Sequence, residues 1–102
     1  MKFYVLCDIE GVASLSCWDE ARSANSCYAP MAREMTLEAA AAARGLFSAG
    51  ADEVIIEDGH GDGCNIDCAL LPKGARLLRG VTHDIVGLTG IFDESYDGML
   101  MV

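Results

Sequence analysis

Lys2-Phe3-Tyr4-Val5-Leu6-Cys7-Asp8-Ile9-Glu10-Gly11 and Asp52-Glu53-Val54-Ile55-Ile56-Glu57-Asp58-Gly59-His60-Gly61 decide how this chain folds. Each is a short apolar run that ends in acids and glycine. Runs of this length, rich in aromatic and β-branched residues, read as buried strands. Between them, Met31, Met35, Ala39, Ala42, Ala43 and Leu46 recur at helical spacing, and residues 37–44 are nearly all strong helix formers. Pro30 fits a first helical turn and Gly50 a helix stop, so the helix is expected from about residue 26 to residue 50. Strand, helix and strand make a βαβ unit, expected to be parallel with a right-handed crossover. The predicted fold is therefore α/β, a three-layer arrangement around a mainly parallel sheet.

Outward from this unit, residues 8–25 lack a sustained period and read as a loop long enough to be functional. If the backbone stays extended through it, Asp8 and Glu10 share a face. Residues 58–65 form a Gly-rich acidic loop. Asn65 is expected to cap a short helical stretch that runs to Leu71 and is ended by Pro72. Residues 75–78 read as a third strand and residues 98–102 as a further one, while residues 80–95 have no clear pattern. No loop or helix follows the last strand, so residues 1–102 are read as the N-terminal part of a longer catalytic domain.

The chain has 102 residues, room for one small domain, and 52% of them are hydrophobic, which excludes disorder as the default. No apolar run approaches the roughly 18 residues of a membrane span, and the opening lacks the features of a signal peptide. A net charge of −9 argues against nucleic acid as a partner and draws cations to clustered carboxylates. Cys7, Cys17, Cys27, Cys64 and Cys68 are odd in number and follow no export signal, so free thiols in a reducing cytoplasm are expected. Cys64 and Cys68 would share a helix face, yet the compact paired spacing of a structural zinc site is missing.

In a parallel sheet the carboxyl ends of neighbouring strands share one edge, where ligands bind. Asp8, Glu10 and His60 all follow strand ends and are thus predicted to meet there. Two close carboxylates repel unless one is protonated or a cation sits between them. Adding an imidazole suits zinc or a similar divalent ion. Asp58 is the candidate to orient that imidazole or to bind a second ion. Separately, Asp-x-Glu is often a solvated turn and a histidine among glycines a surface residue. His83 is read as structural or exposed.

Residues 2–12, with Asp8-Ile9-Glu10-Gly11-Val12, resemble the opening of the M55 family of D-aminopeptidases. Asp58-Gly59-His60-Gly61 is similar to that family's Asp-x-His segment. Tyr28 followed by Met35-Thr36-Leu37-Glu38-Ala39 is similar to its helix. The resemblance extends along essentially all 102 residues. It implies a cytoplasmic peptidase with two zinc ions that uses a metal-activated water to remove an N-terminal, typically D-, residue from short peptides. By the same resemblance Asp8 bridges both ions, and Glu10 and His60 complete the protein ligands of the first. The family's second-metal ligands and catalytic histidine lie beyond Val102. The chain is therefore expected to hold at most one zinc and no catalytic residue of its own, and to be inactive alone. A full-length parent would be a homo-oligomer. Two other readings stay open: a non-catalytic metal-binding fragment, and a two-metal exonuclease with Asp-x-Glu on its first strand. The exonuclease fold would continue as an antiparallel meander and would leave His60 without a role.

Overall fold

The computed structural model describes residues 1–80 and 91–102; His83 and most of the unpatterned stretch lie outside the described residues. Among the described residues, β1 (Lys2–Cys7), β2 (Glu53–Asp58), β3 (Arg76–Leu78) and β4 (Gly98–Met101) form one sheet in the order β3-β2-β1-β4. Every pairing is parallel, with Cys7 opposite Asp58 at the carboxyl ends of the two central strands. The strand–helix–strand unit is thus as the apolar pattern predicts.

One long helix, α1 (Tyr28–Ser48), joins β1 to β2. Its Met35, Ala39 and Ala43 pack on Val5, Cys7, Val54 and Ile56. Small alanines let the helix lie close to the β-branched face of the sheet. Burying one Val or Ile side chain there contributes roughly 1.5–3 kcal/mol. Cys7, within this layer, is a core residue whose thiol is pushed up to about 12, mainly by burial. The opposite sheet face carries Tyr4, which meets the rings of Phe92 and Tyr96 edge-on with centroids 5.5 Å away.

Helix α1 stops where the sequence indicates. Gly50 takes φ +96°, and the Gly50 and Ala51 N–H groups donate to the Phe47 and Leu46 carbonyls at 3.0 Å. This paired return is the Schellman arrangement, which favours glycine at the left-handed position. Gly45 is different: it lies inside the helix with nothing within 4 Å of an added Cβ. Gly45→Ala is expected to raise stability by about 0.5–1 kcal/mol by restricting the unfolded chain, measured as the urea midpoint at constant m. A lower midpoint would contradict the open space there.

Two local expectations change. Residues 8–25 are not featureless: Ile9–Gly11 and Trp18–Ala21 form 3-10 turns. Asn65 caps no helix. The short turn Cys68–Leu70 is capped by Asp67, whose carboxylate accepts from the Ala69 N–H at 2.9 Å. Asn65 is taken up by other partners, described below. Cys64 and Cys68 therefore sit on separate local structures, both exposed.

Candidate metal centre

The centre lies at the carboxyl edge of the sheet. Asp8 is extended (φ −138°, ψ 129°), and its N–H donates to the Val102 carbonyl at 2.8 Å, which fixes its height beside β4. The chain then turns instead of staying extended. Ile9 is fully buried and anchors the turn, while Asp8 and Glu10 on either side of it are exposed. The two carboxylates converge because the residue between them is pulled into the core.

His60 arrives from β2 across a close passage. Gly59 donates to the Cys7 carbonyl at 2.8 Å, and a Cβ at Gly59 would stand 2.8 Å from that same oxygen. Only glycine lets the two strand ends run this close. His60 Nδ1 then sits 3.1 Å from both Asp8 Oδ1 and Glu10 Oε2. One ligand atom from each residue falls within 4.8 Å of the others; the described residues contain no second such group.

On the other side of the ring, Nε2 is 2.7 Å from the carbonyl oxygen of Ala21. A carbonyl only accepts, so Nε2 carries a proton. Nδ1 is the nitrogen turned toward the carboxylates. Without a cation, its lone pair would face two anions, and protonation relieves this. Burial lowers the His60 pKa, but the Ala21 carbonyl and then Asp8 and Glu10 outweigh it, and the net shift is upward. The Glu10 carboxyl is also pushed up, first by its hydrogen bond with Asp8 and then by desolvation. The metal-free cluster thus gathers protons where a divalent cation would sit. Two carboxylates and one orientated imidazole fit zinc by donor type.

Asp58 lies elsewhere than expected. It is fully buried, and its oxygens accept from Asn65 N at 2.6 Å, Asn65 Nδ2 at 2.7 Å and Ile66 N at 2.7 Å. It braces the loop that carries His60, and the Ala21 carbonyl takes the orienting role. Asn65 links the two: its Nδ2 also donates to the His60 carbonyl at 2.5 Å, and the Tyr28 hydroxyl donates to its Oδ1. Sequence reading misses Ala21 because a main-chain carbonyl leaves no mark on residue type. Asn65 does leave a signal, a side chain with both donor and acceptor in a glycine loop, but one that equally suits a helix cap.

A family model for D-aminopeptidase, M55, matches residues 1–102. The chain belongs to the M55 peptidase family. A search of curated protein sequences finds no match. Among solved structures, the chain is similar to the Zn-dependent D-aminopeptidase DppA from Bacillus subtilis, described as a self-compartmentalizing protease. The TM-score is 0.91 at 27% identity, and the match covers 100% of this chain and 37% of DppA. The M55 chain described here thus spans little more than a third of that relative, and over that third the α/β fold is the same.

The pH response of this M55 chain follows from the two upward shifts. A group with a raised pKa in the folded state contributes stability below its ordinary value and loses it as pH rises through the raised one. His60 and Glu10 act in the same direction, so the metal-free chain should lose stability from the carboxylate range up through neutrality. Zinc needs both groups deprotonated, so its stabilising effect should grow over that window. Melting curves with and without zinc at about pH 5.5 and about pH 7.5 should show the larger zinc-induced rise at the higher pH. Equal rises would contradict a cluster that exchanges protons for metal.

Proposed function

We propose that this chain supplies the first zinc site of an aminopeptidase that removes N-terminal D-amino acids from short peptides. The observation that carries the reading is the cluster at the sheet edge, with His60 Nδ1 turned toward Asp8 and Glu10 by the bond from Nε2 to Ala21. Zinc held by Asp8, Glu10 and His60 would act as a Lewis acid toward the peptide carbonyl and activate water at neutral pH. The protein's part is orientation. Asp8 is held by β4, Glu10 by the buried Ile9, and His60 by the Ala21 carbonyl and the braced loop beneath it. Exposed Asp8 leaves one side of the cluster open to a peptide, and a cavity of about 620 Å³ reaches it, lined by Leu6, Gly11, Glu38, Ala41, Met101 and Val102.

Family membership and the likeness to DppA support the peptidase reading and the choice of zinc. By the same analogy, Asp8 is the residue proposed to bridge to a second zinc, and the parent protein is proposed to be a homo-oligomer. Five free thiols accord with a cytoplasmic location. The described residues offer one three-donor group, so the 102-residue chain itself is proposed to bind a single zinc and to lack turnover. The parallel pairing of the described strands favours the peptidase reading over the exonuclease alternative, whose fold would continue as an antiparallel meander. Native mass spectrometry during zinc titration should show one ion per chain, and D-alanyl-p-nitroanilide should remain intact. Turnover that survives His60→Ala would overturn the assignment.

A further inference from the structure

A second hollow touches the candidate metal centre at Glu10. It is an open hollow of about 270 Å³ lined by Glu10, Leu15, Ser16, Cys17 and Trp18. Glu10 belongs to both, so whatever occupies the hollow lies directly against the metal cluster. Its walls are held in place. Leu15 packs on the core, and its N–H donates to the Val12 carbonyl at 3.1 Å. Glu20 Oε2 accepts from the Ser16 N–H at 2.7 Å and the Ser16 hydroxyl at 3.0 Å. The same 3-10 turn that begins at Trp18 ends at Ala21, whose carbonyl fixes His60. The hollow and the carbonyl that contacts His60 therefore belong to one loop.

Trp18 is the anomaly in this loop. It is the sole tryptophan of the chain and is 66% exposed. An ordered loop that keeps a large indole in water forgoes the burial such a side chain normally provides. Pockets for drug-sized ligands run from about 300 to 1,000 Å³, so this hollow is sized for part of a peptide and not for the whole.

We infer that the hollow between Glu10 and Trp18 is the specificity pocket for the side chain of the substrate's N-terminal residue, and that it selects large apolar side chains by contact with Leu15 and the Trp18 indole. The inference rests on the aminopeptidase reading and adds the residue class it takes. With the scissile carbonyl over the metal cluster, the side chain on the adjoining carbon falls within reach of the Glu10 side of the hollow. Leu15 and Trp18 then provide apolar area, and no basic group lines the pocket to favour an acidic side chain.

The test is binding to the zinc-loaded 102-residue chain, read by isothermal titration and by Trp18 emission, with D-leucyl-glycine and D-alanyl-glycine as probes. D-leucyl-glycine should bind about tenfold tighter and shift the emission to the blue, because its extra methylenes leave water against the indole. In Trp18→Ala the preference should fall to about threefold or less. Trp18→Phe, which keeps a ring, should retain most of it. Bound zinc, counted in each variant, reports that the metal site and fold are intact. An unchanged preference in a zinc-replete Trp18→Ala chain would overturn the pocket while leaving the metal centre standing. So would a zinc-loaded wild type that binds neither dipeptide. A wild type with no bound zinc would overturn both readings, and the metal count distinguishes that case.

Discussion

Replacing His60 with alanine should remove zinc binding at any concentration where the wild type is saturated. Asp8, Glu10 and His60 are the candidate donors, and His60 is the nitrogen among two carboxylates. Losing an outer hydrogen-bond partner of a metal ligand typically costs about 10–100-fold in affinity. Loss of the ligand itself should exceed that range. The fold should survive, because the ring is not part of the core layer between α1 and the sheet. Isothermal titration with zinc and circular dichroism on the same sample separate the two effects. His60→Ala with wild-type zinc affinity would show that the carboxylates alone, or other residues, hold the ion. Asp8→Ala should match it, because Asp8 is proposed as a donor to the same ion. Arg22→Ala is a suitable control: the side chain is largely exposed and outside the ligand group, although it lies next to Ala21 in the chain.

The second large effect should fall on stability. Asp58→Ala removes the acceptors of three N–H bonds beneath the metal loop and leaves the buried Ile66 N–H without a partner. Leaving a buried N–H without its acceptor costs about 1–3 kcal/mol, and Asp58 serves three such donors. A domain of this size has roughly 5–15 kcal/mol in total. The melting temperature should fall by well over about 10 °C, at about 4–8 °C per kcal/mol. Zinc affinity should fall with it, because Asn65, released from Asp58, no longer holds the His60 carbonyl firmly. Asp58→Asn keeps one acceptor oxygen but turns an amide N–H₂ toward donors, so it should lie between wild type and alanine. A drop of under about 3 °C for Asp58→Ala would show that the loop is held by something other than this carboxylate.

Tyr28 shows how a family motif residue acquires a physical reason. In the sequence it merely precedes the apolar stripe of the helix. In the fold its hydroxyl donates to Asn65 Oδ1, which joins the first turn of α1 to the metal loop. Burial raises its pKa first of all, with nearby Asp58 adding to the effect, so the hydroxyl keeps its proton and stays a donor. Thr36 works alongside it: its hydroxyl donates to the Ala32 carbonyl at 2.9 Å and accepts from the Asp67 N–H at 3.1 Å. The helix thereby holds the chain at Asn65 and Asp67, just after the loop that carries His60.

Much of this protein was legible in one dimension. Apolar runs ending in Asp8 and Asp58, with an alanine-rich helical period between them, determined two parallel strands and a crossover. Parallel strands place their carboxyl ends on one edge, so Asp8, Glu10 and His60 had to approach one another. That inference needs only periodicity and connectivity, which are properties of residue order. What the order could not decide is how the groups face each other. The extended path continues through Asp8 but gives way to a turn at Ile9–Gly11, where Ile9 enters the core. The partner of His60 is the Ala21 carbonyl, because every residue carries the same carbonyl and only tertiary packing selects one. Asp58 went to the loop's N–H groups because a fully buried carboxylate must be satisfied by the nearest donors. The candidate metal centre of this M55 chain was legible in composition from its sequence, while the direction of each side chain in it was decided by the packing around it.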